Sequence, residues 1–175
     1  MITEEIHAKN ILDLGNIKEI LGQFGIESEI LKAGDINLLH SLVVKRDTDD
    51  KGREGVYSIT FIPMDDDFLE NSSVIQFFYA CPFEVNAEKY ADVLGIINYI
   101  NLHQVIGHFG IKDRKQIYFR YNSTQAKYEL LESNYIADIS MLVEYAIDVY
   151  QAIIEEVNTG KFSEQQAIDF ILQDS

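Results

Sequence analysis

The sequence predicts an α+β fold in which helices pack on an antiparallel β-sheet, in the order α-β-β-β-β-α-β-β-α-α. Two observations support this prediction. Several short segments between the first two predicted helices are rich in apolar residues, and some of them alternate apolar with polar positions, as half-buried strands do. These segments are joined by turns and polar loops without a helix between them, which favours antiparallel neighbours because parallel strands need long crossovers.

The length of the chain, 175 residues, fits one domain. We therefore expect a single domain over 1–175. Its core is expected at about 13–157, with a helix at about 163–173 as a C-terminal appendage. No repeat, low-complexity tract or linker divides the sequence.

The first helix is predicted at about 13–24. Its apolar residues fall at i, i+3, i+4 and i+7, which is the stripe of an amphipathic helix; they are Ile17, Ile20, Leu21 and Phe24. Gly25 follows and is suited to the left-handed C-cap conformation.

Four strands are predicted next, and a polar loop precedes each of the last two. They are Glu27–Leu31, Ile36–Val44, Val56–Ile62 and Val74–Ala80. In the second of these strands, the apolar residues and His40 share one face; the apolar residues are Ile36, Leu38, Leu42 and Val44. Pro63 and Pro82 are expected to end the last two strands, because proline cannot donate a ladder hydrogen bond.

The second half of the chain begins with a helix predicted at about 87–103. Its apolar face is expected to contain Tyr90, Val93, Leu94, Ile97 and Ile100. Two strands, 108–111 and 116–121, follow and form a hairpin through a turn at Lys112–Lys115. The segment 126–133 fits either a strand or a helix.

A long helix is predicted at about 136–157. Apolar residues recur along it at spacings of three and four, and Leu142, Ile147 and Ile154 broaden the stripe. Asn158–Gly160 ends this helix. The last helix begins at Ser163, which forms a capping box with Gln166.

The charge of the chain is its strongest compositional feature: 29 acidic residues stand against 14 basic ones, for a net charge of -15. Binding to nucleic acid needs lysines and arginines that neutralise phosphates, and the sequence has no dense basic run. An anionic membrane surface would repel the chain for the same reason. The charge therefore predicts either a solvated surface alone or attraction to a basic protein partner.

The single cysteine, Cys81, cannot form an internal disulfide, which fits a reducing compartment. The first five residues, Met1–Glu5, lack the basic start and the apolar run of a signal peptide. No segment has the roughly 20 apolar residues that span a bilayer. We therefore expect a cytoplasmic protein.

Two acidic segments have some of the residues that a metal site needs. Asp47–Gly52 has acids at the first and third positions of a calcium loop and glycine at the sixth, but Lys51 and Ser58 occupy two ligand positions. Asp65–Asp67 with Glu70 could hold a divalent ion, although adjacent acids do not converge easily on one point. Solvated loops are the preferred interpretation of both segments, so no metal or other cofactor is predicted.

Catalytic motifs are absent from the sequence. The four histidines, which are His7, His40, His103 and His108, form no metal-ligand spacing, and packing or capping explains the last two. Cys81 as a nucleophile would need a nearby histidine, and buried packing is the simpler interpretation. Phosphate-binding glycine loops and the nucleophile elbow are also missing. We therefore expect no enzymatic activity.

Short motifs between residues 94 and 121 resemble the YbjN family, also described as bacterial sensory transduction regulators. The residues that carry the resemblance are Asn98, Asn101, Gly107, Phe109, Tyr118 and Arg120. The resemblance implies a fold similar to that of type III secretion chaperones, which are small acidic proteins that bind partner polypeptides. From the residues alone, the amides of Asn98 and Asn101 are predicted to cap helix carbonyls and fix the turn into the Gly107 strand.

Two functional hypotheses follow. The first is a non-enzymatic protein-binding module, chaperone-like or regulatory, that binds a protein partner or itself as a homodimer; Met141, Tyr145 and Val149 are the predicted contact residues. One variant of it is an acidic immunity-type protein that binds a basic partner. The second is an enzyme or small-ligand-binding protein whose pocket has no linear motif.

Overall fold

The computed structural model describes residues 4–34, 38–64, 69–127, 129 and 131–173. It confirms the α+β class and the predicted order of elements, and adds one 3-10 turn, Ala87–Lys89, before the second helix. The helices are α1 (Glu4–Gln23), α2 (Tyr90–His103), α3 (Ser133–Asn158) and α4 (Glu164–Gln173). The strands are β1 (Ser28–Leu31), β2 (Ser41–Arg46), β3 (Gly55–Ile62), β4 (Ser72–Glu84), β5 (His108–Lys112) and β6 (Gln116–Ala126).

The strands form one six-stranded sheet in the order β1-β2-β3-β4-β6-β5. The pairs β1–β2, β2–β3 and β5–β6 are antiparallel. Within the β2–β3 pair, Ser41 lies opposite Thr60, and their hydroxyl oxygens are 2.8 Å apart in a hydrogen bond. In the β5–β6 hairpin, His108 lies opposite Arg120, so these two side chains share one face of the sheet.

The contacts of the chain cluster into two compact units. The first unit contains 1–78 and 121–141. Its buried side chains come mainly from α1, β2, β3 and the first half of β4, and include Leu14, Ile17, Leu21, Leu42, Tyr57, Ile59, Ile75 and Phe77. Tyr57 and Phe77 pack with ring centroids 6.4 Å apart, so aromatic and branched residues together form this core.

The second unit contains 79–120 and 142–175. Its buried side chains come from α2, the β5–β6 hairpin, the later part of α3 and α4, and include Val93, Ile96, Ile97, Ile100, Phe109, Phe119, Val143, Ile147, Ile154, Val157 and Ala167. The buried hydroxyl of Tyr79 donates a hydrogen bond to the amide oxygen of Gln151 in α3. This hydrogen bond gives the buried Tyr79 hydroxyl and the buried Gln151 amide oxygen a partner inside the protein.

Several local predictions are confirmed. Gly25 has a φ of 78° directly after α1, as a left-handed C-cap requires. The backbone N–H of Ser163 donates to Gln166 Oε1 at 2.9 Å, and the Gln166 N–H donates to Ser163 Oγ at 3.2 Å, which completes the predicted capping box. The predicted turn between β5 and β6 leaves three residues, 113–115, between the paired Lys112 and Gln116, and two of them, Asp113 and Arg114, have left-handed backbone with φ of 52° and 59°.

The predicted start of the first helix was wrong: α1 begins at Glu4 and not near residue 13. The turns before residue 13 also make contacts through side chains that lie outside the apolar stripe used for the prediction. The ring of His7 packs edge-on against His40 with centroids 5.1 Å apart, and Lys9 forms an ion pair with Asp13 one turn further along.

The predicted strand Ile36–Val44 was also wrong at residues 38–40, and its residues 36 and 37 lie outside the described chain. Strand β2 starts at Ser41, and the side chain of Leu38 is 87% exposed. His40 explains the difference, because its Nδ1 accepts a hydrogen bond from the Ala33 backbone N–H at 2.8 Å. This bond ties His40 to the backbone of Ala33, so the ring is a local hydrogen-bond acceptor at the residue just before β2.

Two further predictions need correction. Pro82 lies inside β4, which continues to Glu84 and does not end at the proline. On α2, Leu94 is 47% exposed, whereas Ile96, which was not predicted, is fully buried. The segment 126–133 is neither one strand nor one helix: β6 ends at Ala126 and α3 begins at Ser133.

The acidic segment Asp65–Asp67 lies outside the described residues. In the part of the chain that the structure covers, no helix is both long enough and apolar enough to cross a bilayer.

Candidate functional site

Asn101 joins α2 to the edge strand β5. Its Nδ2 donates to the Phe109 carbonyl oxygen at 2.9 Å, and its Oδ1 accepts from the Phe109 N–H at 2.8 Å. The side chain therefore replaces a neighbouring strand for one residue of β5. This differs from the predicted role, since Asn101 bonds the backbone of the strand and does not cap carbonyls of the helix. Asn98 lies one turn earlier on α2 and is exposed, so the two asparagines of the motif have different surroundings.

Gln104 extends the same hydrogen-bond network into the segment between α2 and β5. Its Nε2 donates to Asn101 Oδ1 at 2.8 Å and to the Gly107 carbonyl oxygen at 3.0 Å. Gly107 has a φ of 64° and lies so close to β6 that a Cβ atom would be 2.9 Å from the Arg120 carbonyl oxygen. The conformation of residues 104–107 is thus fixed by two amide side chains and one glycine.

Phe109 carries this network to α3. Its backbone is held by Asn101, and its buried ring packs edge-on against Phe119, with centroids 5.2 Å apart. On another side it meets the ring of Tyr150 in α3, at 6.4 Å between centroids and an interplanar angle of 82°. Edge-to-face packing of this kind stabilises a fixed geometry.

Tyr118 and Arg120 lie on the opposite face of the hairpin from Phe109 and Phe119, because neighbouring residues of a strand alternate. Arg120 Nη2 is 3.2 Å from His108 Nε2, and its guanidinium lies 5.6 Å from the centroid of the Tyr118 ring. Its Nε is buried without a hydrogen-bond partner among the described residues. Burial and the nearby Arg120 charge lower the pKa of His108 below its ordinary value of 6.5, so its ring is neutral at neutral pH and accepts this bond.

A groove of about 480 Å³ lies in the second unit, and we call it the α3–α4 groove. It is lined by the 103–106 segment after α2, by α3 and by the end of α4. The lining residues are His103, Gln104, Val105, Ile106, Leu142, Tyr145, Ala146, Val149, Tyr150, Ile153, Phe170 and Ile171. Most are apolar or aromatic, as in sites that bind apolar groups.

One wall of this groove continues as an apolar surface along α3, which we call the outer stripe: Met141, Leu142, Tyr145 and Val149. The exposed fractions of these side chains are 64%, 39%, 58% and 36%. Leu142, which is predicted to broaden the apolar stripe of this helix, lies at its exposed side and lines the groove. The three predicted contact residues, Met141, Tyr145 and Val149, therefore lie on one exposed face, spaced by four residues.

The end of α4 forms the other wall of the α3–α4 groove. The carboxylate of Glu164, at the start of α4, lies against Gly95 of α2, in the space that a Cβ atom would fill. From this contact α4 extends to Phe170, which is 44% exposed and packs on Phe162 with centroids 6.1 Å apart. Close approach at Gly95 thus positions the helix that brings Phe170 to the groove.

The chemistry of the groove is that of a neutral surface. Burial and, to a smaller extent, Tyr145 raise the pKa of Tyr150 above its ordinary value of 10.0, so this phenol stays protonated. His103 Nδ1 lies 2.8 Å from the Tyr99 carbonyl oxygen in the last turn of α2, as the capping interpretation predicted. No carboxylate is among the lining residues. The groove can therefore bind apolar side chains, and its described lining lacks a charged acid–base pair.

The loop at Asp47–Gly52, which has part of a calcium-loop pattern, is held by local hydrogen bonds to Asp49. Asp49 accepts from the Lys51 N–H at 3.0 Å, from the Arg53 N–H at 2.9 Å and from Arg53 Nε at 2.7 Å. Desolvation opposes ionisation here, yet the bonds from Arg53 and Lys51 outweigh it and lower the pKa of Asp49. Among the described residues, no group of three or more His, Cys, Asp or Glu is placed to hold a metal ion.

Three polar residues that position the site were missed by sequence reasoning: Gln104, Gln151 and Asn158. The buried Asn158 side chain donates to the Glu84 carbonyl oxygen at 3.0 Å and accepts from the Asn86 N–H at 2.7 Å. A buried amide at the end of an apolar stripe is a detectable signal, but its partners are more than 70 residues away in sequence. Cys81 is buried, as predicted.

We predict that Asn101→Ala lowers the free energy of unfolding by about 2 kcal/mol, because it removes two hydrogen bonds to Phe109 and leaves buried backbone groups without partners. Urea unfolding followed by circular dichroism measures this value. Asn98→Ala on the same helix is the matched control, and it should change stability by less than about 0.5 kcal/mol. Equal effects of the two substitutions would contradict the bidentate role of Asn101.

We also predict that stability falls as the pH drops below about 6.5. The pKa of His108 is lowered in the folded state, so the unfolded chain binds this proton more readily; the stabilisation is present above pH 6.5 and is lost on acidification. Thermal unfolding between about pH 7.5 and 5.5 measures it. His108→Gln keeps an acceptor for Arg120 and should show a smaller decrease over that range. An unchanged decrease would exclude His108 as a contributor.

Comparisons with known proteins place few constraints on identity. No protein-family model matches the sequence, and no curated protein matches it. The structure is similar to the crystal structure of YbjN, a proposed transcription regulator from E. coli, with a TM-score of 0.46 and 13% sequence identity. The similarity covers 85% of this chain and 93% of that chain.

Proposed function

We propose that this chain is a non-enzymatic protein-binding module that contacts its partner through the outer stripe and the α3–α4 groove. The observation that carries the proposal is the exposure of Met141, Leu142, Tyr145 and Val149 on a helix whose other face is buried. Contiguous exposed apolar side chains are a feature of protein interaction surfaces. A groove beside such a stripe is the usual receptor for the apolar face of another polypeptide.

The composition of the groove supports binding over catalysis. Acid–base chemistry needs titratable groups with pKa values near the working pH. Tyr150 is shifted the other way. The remaining polar lining groups are His103, Gln104 and Tyr145, and the described lining offers His103 no carboxylate as an acid–base partner. A chaperone-like or regulatory role, which the sequence resemblance to the YbjN family implies, would use the same surface.

A small apolar ligand is the second candidate, because the groove volume of about 480 Å³ lies within the range of small-molecule sites. Extraction of the purified native chain with organic solvent, followed by mass spectrometry, tests for it. A ligand recovered in equal amount with the protein, and lost from Tyr150→Ala, would favour this candidate over a protein partner.

The proposal predicts that Tyr145→Ser with Val149→Ser removes partner binding and leaves the fold intact. Both side chains are exposed, so their loss should change the melting temperature by only a few degrees. Affinity capture from the native cell would compare wild type, this double variant and Leu12→Ser. Leu12 is 69% exposed on α1 and is a matched apolar control. Proteins retained by wild type and by the control, and lost from the double variant, are the expected result.

Light scattering separates a foreign partner from a second copy. A dimer that Tyr145→Ser dissociates identifies the partner as another copy of this chain. The same set of captured proteins on all three baits, together with a monomer at every concentration, would contradict the proposed function.

A further inference from the structure

We propose that the α3–α4 groove receives a basic amphipathic helix of a partner protein, with apolar residues in the groove and lysines or arginines facing the carboxylates of α3 and α4. This inference rests on the proposed function and adds the chemistry of the partner. It is carried by the shape of the groove and by the charges on the helices that line it.

The groove is long enough for a helix. Its lining on α3 runs from Leu142 to Ile153, which corresponds to about 16 Å, or three helical turns. A volume of about 480 Å³ is about three times that of a cavity that holds one benzene ring. Three apolar anchors at i, i+3 or i+4, and i+7 of a docked helix match both dimensions.

Exposed apolar side chains stand on each wall. Tyr145 and Val149 lie on α3, Phe170 lies on α4, and Val105 lies on the segment that Gln104 fixes; their exposed fractions are 58%, 36%, 44% and 80%. The described lining has no β-strand. An added strand would therefore find no sheet edge in the groove to pair with, whereas a helix needs only side-chain contacts.

The charges on the lining helices have one sign. Helices α3 and α4 together contain seven acidic residues and no lysine or arginine; the acids are Asp138, Glu144, Asp148, Glu155, Glu156, Glu164 and Asp169. Three of them are already engaged within the chain, because Glu155 is buried, Glu156 pairs with Lys161 at 2.9 Å and Glu164 lies against Gly95. Asp148 is exposed beside Val149, and Asp169 is exposed beside Phe170, so a carboxylate adjoins an apolar contact residue on each wall. The segment 103–107 also lacks lysine and arginine.

This charge distribution opposes a second copy as the occupant. In a symmetric dimer the same patch meets itself, so the acids of both copies would face each other, with a net charge of -15 on each chain. Like charges across an interface cost affinity, and complementary charges speed association and select the partner. A helix with basic residues beside its apolar face can place apolar side chains in the groove and pair its charges with carboxylates on α3 and α4.

The experiment uses the full chain and two synthetic peptides of about 14 residues, a length that covers the three turns of the groove. Both have leucine at i, i+3, i+4 and i+7; the remaining positions carry mainly lysine in one peptide and glutamate in the other. Fluorescence anisotropy of the labelled peptides gives Kd at low and at physiological salt. We expect the lysine peptide to bind at least tenfold more tightly than the glutamate peptide, with a Kd that rises with salt.

Variants separate the groove from general attraction to an acidic protein. Asp148→Asn with Asp169→Asn should weaken binding of the lysine peptide by about three- to tenfold. Glu84→Gln with Glu88→Gln removes the same charge at exposed positions away from the groove lining and should change Kd by less than about twofold. Tyr145→Ser with Val149→Ser keeps the net charge and should weaken binding by at least tenfold.

The outcomes distinguish this inference from the proposed function. Equal binding of the two peptides, or equal effects of the two charge variants, overturns the basic helix. A homodimer through the outer stripe overturns it as well. In these cases, loss of native partners from Tyr145→Ser with Val149→Ser would leave the protein-binding module standing. If the double variant still binds the lysine peptide and still retains the native partners, both the basic helix and the protein-binding module are overturned.

Discussion

Helix α3 carries apolar side chains on two faces, and only one of them can be buried within the chain. Its inner positions, such as Val143, Ile147, Ile154 and Val157, are fully buried, and their burial contributes about 2 kcal/mol for each large side chain. The outer stripe remains in contact with water. Apolar surface that stays exposed to water contributes nothing to the stability of an isolated domain. The groove and the proposed partner surface both depend on this arrangement of one helix.

The network of Asn101 fixes the 103–106 segment, which lines the groove together with α3 and α4. Asn101 holds Phe109 by its backbone, Phe109 packs against Tyr150, and Gln104 holds the segment that contains Val105. A groove that is fixed before binding loses less conformational entropy when a partner docks. Three of the motif residues, Asn101, Gly107 and Phe109, thus have a physical role beside the groove.

The sequence predicted features that depend on neighbours in the chain. Gly25 and the Ser163–Gln166 capping box follow from local hydrogen bonding, and local rules apply to them without knowledge of the fold. The helix and strand boundaries that were predicted wrongly depend on contacts between residues far apart in the sequence. His7 meets His40, and β4 continues past Pro82 to Glu84 in the middle of the six-stranded sheet. The exposed positions Met141, Tyr145 and Val149 could be proposed because the apolar pattern of α3 is wider than one stripe. The wall that α4 forms could not be predicted from the sequence, because it depends on the packing of α4 on α2.

The central claim is that the outer stripe is open in the free chain, and hydroxyl-radical footprinting with mass spectrometry tests it most directly. Met141 and Tyr145 are 64% and 58% exposed, whereas Tyr57 is 1% exposed and serves as an internal reference. The account predicts rapid oxidation of Met141 and Tyr145 and protection of Tyr57 in the purified chain at low concentration. Protection of Tyr145 equal to that of Tyr57 under these conditions would mean that the stripe is already covered, and would contradict the account.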